Sequence, residues 1–470
     1  MMAWDVLAAL PAVVIASGAV AVLLAVAFAR NHVLPFALSV VTLVAAIACL
    51  PVAASRAPSQ LTTLFVSDGL GLFGTALALV GTLVTALLAF GPLTAAPDER
   101  GELSFLLLAS CLGACVLVAS SSFAGLFLGL ELMSVSLFAL IAYHRERTSG
   151  VEAGIKYLVL AGASSAFLLF GMALVYAQTG SMELGRLAAE VGSGPLVPVG
   201  LCMMLVGIGF KLAVVPFHFW TPDVYDGAPA PVSGYIASVS KGAAAIVLLR
   251  FLAPAVTGSP TLGWIVAVIA GLSMFAGNLL ALREDNVKRI LAYSSIAHVG
   301  YLLVAFLGRG PEALRAVAFY LAAYVATTLG AFAAVTALSG RERDADSLDD
   351  YRGLALRRPA VAAGLTATLL SLAGLPLTAG FVGKFMILTV GGGASLWVLA
   401  AMLVVNSTIS VFYYFRIVSA LFRTPAEAAT DERPAVPLLA GVSLAVLSLA
   451  VVAAGIYPSP ILRLLEIVGG

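Results

Sequence analysis

The chain has 470 residues, 61% of them hydrophobic and 10% charged, with a formal net charge of +1. Water-soluble globules carry about a quarter charged residues, so this composition excludes one and makes lipid the solvent for most of the chain. The small net charge and the absence of any Lys/Arg tract exclude nucleic acid as a partner.

The segment Met1 to Asp5 lacks the basic region and small-residue cleavage site of a signal peptide, so the first apolar stretch is expected to remain as a helix. Apolar stretches of about twenty residues, separated by charged or Pro/Gly breaks, then predict about fourteen membrane helices. Their centres run through Ala16, Leu43, Ala78, Leu112, Leu130, Leu168, Leu205, Ser240, Ile269, His298, Ala326, Ala373, Val411 and Leu447. The polar segment Pro97 to Glu102 separates the third from the fourth. Loops after odd-numbered helices hold most of the cations: Arg30, Arg100, Arg145, Arg147, Arg283, Lys288, Arg289, Arg341, Arg343, Arg352, Arg357, Arg358, Arg423 and Arg433. The opposite loops hold Arg56, Arg186, Arg309, Arg315 and Arg463, with Arg250 near a helix end. Lysine and arginine concentrate on the cytoplasmic side, so both termini are expected in the periplasm of a bacterial inner membrane.

Two helices are interrupted beside a lysine. The seventh carries Lys211, Pro216 and His218, and the twelfth carries Gly374, Pro376, Gly380, Gly383 and Lys384. Proline removes a backbone hydrogen bond, which a membrane helix tolerates only where protein or water satisfies the freed carbonyl. The two broken helices are five apart, the spacing of an inverted five-helix repeat, and such matched breaks point to an ion path. The reading is an all-α polytopic membrane protein with an N-terminal helical segment (1–102), a first five-helix unit (103–256), a second, inverted unit (257–425) and a C-terminal helix with its tail (426–470).

An ionisable side chain at the bilayer centre costs at least about 2.5–3.5 kcal/mol on insertion scales, so each one present is a functional candidate. Glu131 lies on the fifth helix, Lys156 at the start of the sixth, Lys211 on the seventh, Lys241 on the eighth, His298 on the tenth and Lys384 on the twelfth. One such group on successive helices is what a lateral proton path needs. Burial disfavours a charged ammonium and a nearby carboxylate favours it, so Glu131 can decide whether Lys211 keeps its proton. Released protons would pass to Lys241, then through the imidazole of His298 to Lys384. Lys156 and Arg416 lie close enough to helix ends to snorkel, and His218 fits either the path or a helix end at the interface. A static buried ion pair is the bland alternative for Glu131, Lys211 and Lys384.

Other patterns read as packing. Cys111 and Cys115 fall one turn apart, and with Cys49 and Cys202 they lack metal-site spacing. Gly69, Gly71 and Gly74 spell a dinucleotide fingerprint, but inside an apolar helix with no strand before it. The sequon at Asn406 falls within the thirteenth helix.

The stretch Phe210-Lys211-Leu-Ala-Val-Val-Pro216-Phe-His218-Phe-Trp220-Thr-Pro-Asp223-Val-Tyr225-Asp-Gly-Ala-Pro229 resembles the antiporter-like subunits shared by respiratory complex I and the multisubunit sodium/proton antiporters. Supporting stretches are Leu291-Ala-Tyr-Ser-Ser-Ile-Ala-His298-Val-Gly-Tyr301 and Ser371-Leu-Ala-Gly-Leu-Pro-Leu-Thr-Ala-Gly-Phe-Val-Gly-Lys384-Phe385. Relatives tend to read Leu-Pro-Asp-Ala where this chain has Thr221-Pro222-Asp223-Val224. The resemblance spans essentially the whole chain. It implies the fourteen-helix, twice-repeated fold and roles for Glu131, Lys156, Lys211, Lys241 and Lys384 as charges of a proton path. It implies no cofactor in this chain, with NADH, FMN, iron-sulfur clusters and quinone held by other subunits, and membrane-arm subunits and lipid as partners. A subunit of a cation/proton antiporter and a non-transporting scaffold are the competing readings.

Overall fold

The computed structural model describes residues 5–28, 32–91, 93, 101–192, 194–308, 310–340, 343–424 and 436–466. The loop arginines Arg30, Arg100, Arg309, Arg341 and Arg433 lie outside the described residues, as do most of the N-terminal five and the last four. The chain opens with α1 (Leu10–Phe28), α2 (Val33–Ala48) and the short α3 (Leu50–Ala54), then a small antiparallel hairpin of β1 (Ser59–Gln60) and β2 (Val66–Ser67). Next come α4 (Gly69–Ala89), α5 (Glu102–Val118), α6 (Phe123–Ile141), the long α7 (Thr148–Thr179) and the short α8 (Leu187–Glu190). The lysine-bearing α9 (Leu196–Leu212) is followed by α10 (Trp220–Gly227). A continuous helical stretch then joins α11 (Ala230–Tyr235), a π-helical turn (Ile236–Ser240) and α12 (Lys241–Gly258).

The rest is α13 (Pro260–Ala281), α14 (Val287–Phe306), α15 (Pro311–Leu338), the short α16 (Leu354–Arg357), α17 (Pro359–Ala373), α18 (Ala379–Gly393), α19 (Trp397–Phe422), α20 (Leu438–Ile456) and the short α21 (Ser459–Leu464). Each of the fourteen expected centres falls in one of these helices. Among the described residues, eleven helices are long and apolar enough to cross a membrane, and α5, α9, α17 and α18 are shorter apolar helices. The chain is an all-α polytopic membrane protein.

Burial sorts the helices. The stretch through α11 and the first part of α12, together with α14 and α15, is buried over nearly its whole length, whereas α1, α2 and α7 expose most of theirs. Outward-facing side chains on α7 such as Ile155, Val159 and Phe170 are apolar and exposed, as a lipid-facing surface requires. The three buried segments therefore form the protein's interior, and two of them carry Lys241 and His298.

Local chemistry explains the helix ends. Asp68 caps α4, accepting from the Gly71 amide at 2.8 Å, and binds Arg250 of α12 through two contacts of 2.7 Å. A Cβ on Gly74 would meet Ile246 at 2.7 Å, so the small residues of the fingerprint-like triplet serve close helix packing. Cys111 and Cys115 are free and buried. Asn406 is buried and packs its amide against Asn278, 3.2 Å away, deep inside the helices.

Candidate functional site

The seventh-helix break is built where α9 ends. Ala213 turns into the left-handed region (φ 60°), and its amide and that of Val214 close back on the carbonyls of Phe210 and Gly209 at 2.9 and 3.0 Å. This αL ending satisfies carbonyls that the helix leaves orphaned. The indole of Trp220, at the start of α10, donates to the same Phe210 carbonyl at 2.9 Å. Lys211 lies in the last turn of α9, buried. Its Nζ donates to the Ser134 hydroxyl of α6 at 2.9 Å and to the Tyr157 hydroxyl of α7 at 2.7 Å. The Tyr157 ring is walled by Phe138, Phe210 and Trp220.

Glu131 precedes Ser134 by one turn of α6 and is half-buried. Its carboxylate accepts from Ser165 of α7 at 2.5 Å and forms no direct ion pair with Lys211. Among the described residues, neither Lys241 nor Lys384 has a carboxylate within ion-pair distance. Their partners are neutral hydroxyls, carbonyls and aromatic rings.

Lys241 follows the π-helical turn directly and is buried. Its Nζ donates to Ser295 of α14 at 2.6 Å and lies 5.5 Å from the Tyr225 ring centre. From Ser295 a polar stripe runs along α14 at helical spacing through His298 to Tyr301. His298 meets the hydroxyls of Tyr320 (2.6 Å from Nδ1) and Tyr414 (3.3 Å from Nε2), and Tyr414 also bonds Ser294. Tyr301 packs edge-on against His298 and presents its face to the Nζ of Lys384, 5.0 Å from the ring centre.

Lys384 sits on α18, just past the second break. There α17 ends at Gly374 (φ 81°), and Lys384 Nζ donates to the carbonyls of Leu372 and Ala373, both at 2.9 Å, and to Ser407 of α19 at 3.0 Å. The last carbonyls of a helix lack intrahelical partners and carry its negative partial charge, so an ammonium there is well placed. A Cβ on Gly374 would lie 2.7 Å from the lysine side chain, which ties the glycine at this turn to the lysine's seat.

The structure thus brings Lys241, His298 and Lys384 together along α14, and it seats Lys211 beside Ser134 and Tyr157. Lys156 lies apart: its side chain is 42% exposed and pairs with Glu152 at 2.7 Å and with Asp223 of α10 at 2.8 Å. Arg416 holds the end of α13, donating to the Leu282 and Glu284 carbonyls. His218 lies buried in the first break, stacked on Phe219. Lys288, counted from sequence among the loop cations, is instead buried, its Nζ on the Asp226 and Ala228 carbonyls and on Asp344 at 2.6 Å. Sequence reasoning also passed over Ser134, Tyr157, Ser295 and Tyr301, which supply the lysines' contacts. The three-residue polar spacing on α14 was the one available signal. Among the described residues no group of three His, Cys, Asp or Glu side chains is arranged to hold a metal ion.

Buried lysines held by hydroxyls and carbonyls, with lipid-facing helices around them, fit the class of membrane subunits that move small cations. Residues 120–410 match the family described as NADH:quinone oxidoreductase/Mrp antiporter, TM, and the chain belongs to that family. It is 46% identical over 463 residues to the NADH-quinone oxidoreductase subunit N of Methylococcus capsulatus, covering 97% of this chain and 93% of that protein. A chain of the respiratory complex I from Thermus thermophilus, solved with bound aureothin, superposes with a TM-score of 0.85 at 34% identity, covering 96% of this chain and 98% of the other. A chain of the Mrp complex from a Dietzia species shares the fold, with a TM-score of 0.88 at 22% identity over 99% of this chain and 97% of the other.

Proposed function

We propose that the chain is a proton-translocating membrane-arm subunit of a bacterial NADH:quinone oxidoreductase, coupling electron transfer elsewhere in the complex to proton movement through its own buried residues. The observation that carries this reading is the polar face of α14 inside the helices, where Lys241 bonds Ser295, His298 packs on Tyr301 and Tyr301 faces Lys384. The near full-length likeness to a subunit N supports the assignment of the whole complex. NADH, FMN, iron-sulfur clusters and quinone belong to other subunits, and the neighbours are the other antiporter-like and small membrane subunits. Both termini lie in the periplasm, with α9 and α10 as the seventh of fourteen crossings and α17 and α18 as the twelfth. The units 103–256 and 257–425 are inverted repeats, each with one broken helix and one lysine at its break, between an N-terminal segment (1–102) and a C-terminal one (426–470).

In this mechanism the charge of Glu131 sets the protonation of Lys211, and the proton Lys211 releases passes to Lys241, along α14 by His298, and on to Lys384. Lys156 sets charge at the membrane surface beside the first unit. Lys211→Met and Glu131→Gln are expected to assemble with their complex and to lose NADH-driven proton uptake by inverted membrane vesicles. Uptake at the unmodified rate in either variant removes that residue from the path. The shared fold with an Mrp chain motivates the alternative, a subunit of a sodium/proton antiporter. Sodium-dependent proton exchange by the chain and its partners without NADH or quinone would replace the first reading.

A further inference from the structure

The short helix α10 is cut off from α9 by the break, yet its side chains reach the surroundings of two buried lysines. On one side, Trp220 donates to the Phe210 carbonyl next to Lys211 and lies 5.0 Å, centre to centre, from Tyr157, whose hydroxyl accepts from Lys211. Tyr225 places its ring 5.5 Å from Lys241 and its hydroxyl 3.5 Å from Ser295, the acceptor of Lys241. On the other side, Asp223 is shared between two cations: Lys156 of α7 at 2.8 Å on one carboxylate oxygen and Arg289 of α14 at 3.0 Å on the other. Each cation has an acid of its own, Glu152 for Lys156 (2.7 Å) and Glu284 for Arg289 (3.2 Å). The far end of α10 is fastened by Lys288 and Asn286, which bind Asp226 and the Ala228 carbonyl.

Asp223 is poorly accounted for as a stabilising residue. Its side chain is 38% exposed and its cations are 42% and 26% exposed, and ion pairs of that kind contribute about 0–1 kcal/mol. What they do fix is position, since α10 has eight residues and no covalent continuity with α9 as a helix. We propose that Asp223 is a positioning residue for proton transfer: its paired contacts with Lys156 and Arg289 set the seat of α10, and through Trp220 and Tyr225 the seats of Lys211 and Lys241. The inference rests on the proton-translocation reading above. It gives the partly exposed Lys156 a use, since an event that draws Lys156 or Arg289 away from Asp223 reaches both buried lysines through one small helix.

The test is Asp223→Asn in the assembled complex, with NADH-driven proton uptake and thermal unfolding measured on the same preparation. The expected result is about a fivefold or larger loss of uptake, in the range of coupling between linked sites, with the melting temperature unchanged. Asp223→Glu is expected to recover most of the rate. Lys156→Gln and Arg289→Gln should each lose part of it, and the double variant should match Asp223→Asn. Uptake at the unmodified rate in Asp223→Asn overturns the proposal, and so does a loss of rate that only follows a lowered melting temperature. Should Asp223→Asn fail to assemble, full uptake in both single cation variants overturns it instead. Lys211→Met serves as the control: if it pumps normally, the underlying reading has failed, whereas a dead Lys211→Met beside a fully active Asp223→Asn removes the Asp223 proposal alone.

Discussion

The two broken helices seat their lysines by different means. Lys211 hangs from the end of α9 between two hydroxyls, Ser134 and Tyr157, inside an aromatic wall. Lys384 instead points at the end of its own broken helix and takes two main-chain carbonyls and Ser407. An ammonium has three donors. Among the described residues, Lys384 has acceptors for all three, Lys211 for two, and Lys241 for one, Ser295. The two helix breaks therefore hold their lysines differently, one by three acceptors and the other by two, with Lys241 held by the fewest. A group with few fixed acceptors is the easier one to deprotonate or reorient, so the Lys241 position suits transfer and the Lys384 position suits retention.

That contrast can be broken most directly at α17 and α18. A Cβ on Gly380 would stand 1.9 Å from the Ser371 carbonyl oxygen, a backbone atom that cannot step aside. Gly380→Val is expected to destabilise the protein by more than about 4 kcal/mol, so that little folded chain is recovered from membranes. Normal recovery and melting would mean that the second break is not packed as tightly as its lysine geometry demands. Next in size is a paired comparison. Lys384→Met leaves two helix-end carbonyls without their donor, a loss of about 1–3 kcal/mol for each group left unsatisfied, whereas the hydroxyls freed by Lys211→Met can turn to other acceptors. Melting in detergent should fall further for Lys384→Met, and equal shifts would erase the distinction between the two seats.

A smaller effect separates two tyrosines. Tyr157→Phe removes one of the two acceptors of Lys211 and should slow proton uptake by about tenfold, the equivalent of about 1.4 kcal/mol. Tyr301→Phe keeps the ring face over Lys384 and gives up only the hydrogen bond to Asn278, 2.9 Å long, so uptake should stay within about twofold. The reverse ranking would place the hydroxyl of Tyr301, rather than its ring, in contact with the moving proton. The least disturbance is expected at Arg416, which holds the Leu282 and Glu284 carbonyls just past the end of α13 and lies near Asp285 at 3.6 Å. Arg416→Gln should lower stability by about 1 kcal/mol or less and leave the uptake rate unaltered, and a clear loss of rate at unchanged stability would bring this arginine into the path.

Much of this was legible in the chain itself. Each expected centre fell within a helical segment, and Pro216 with Gly374 and Pro376 marked both breaks, because helix interruption is a local property of the backbone. The lysines stood out because charge within an apolar run is conspicuous whatever surrounds it. Their partners did not. Ser134, Tyr157 and Ser295 are ordinary residues lying 77, 54 and 54 positions from the lysines they bind, and only the packing of α6, α7 and α14 brings them into reach. The π-helical turn before Lys241 has no proline or glycine to announce it. Lys288 was misplaced for the opposite reason: counting cations between helices treats each as solvated, whereas the end of α10 and Asp344 enclose this one.

The stripe along α14 has a consequence for the direction of work. Serine and tyrosine hydroxyls donate through O–H and accept on oxygen, and an imidazole can donate through one ring nitrogen and accept on the other, so the Ser295, His298 and Tyr301 groups are not restricted to one role. If protons take the proposed path, that segment is reversible: run from either end, it presents the same kinds of group. Vectorial pumping must then be imposed from the ends, by whatever alternately opens each terminus to water, and a large enough opposing gradient should drive the same residues backwards.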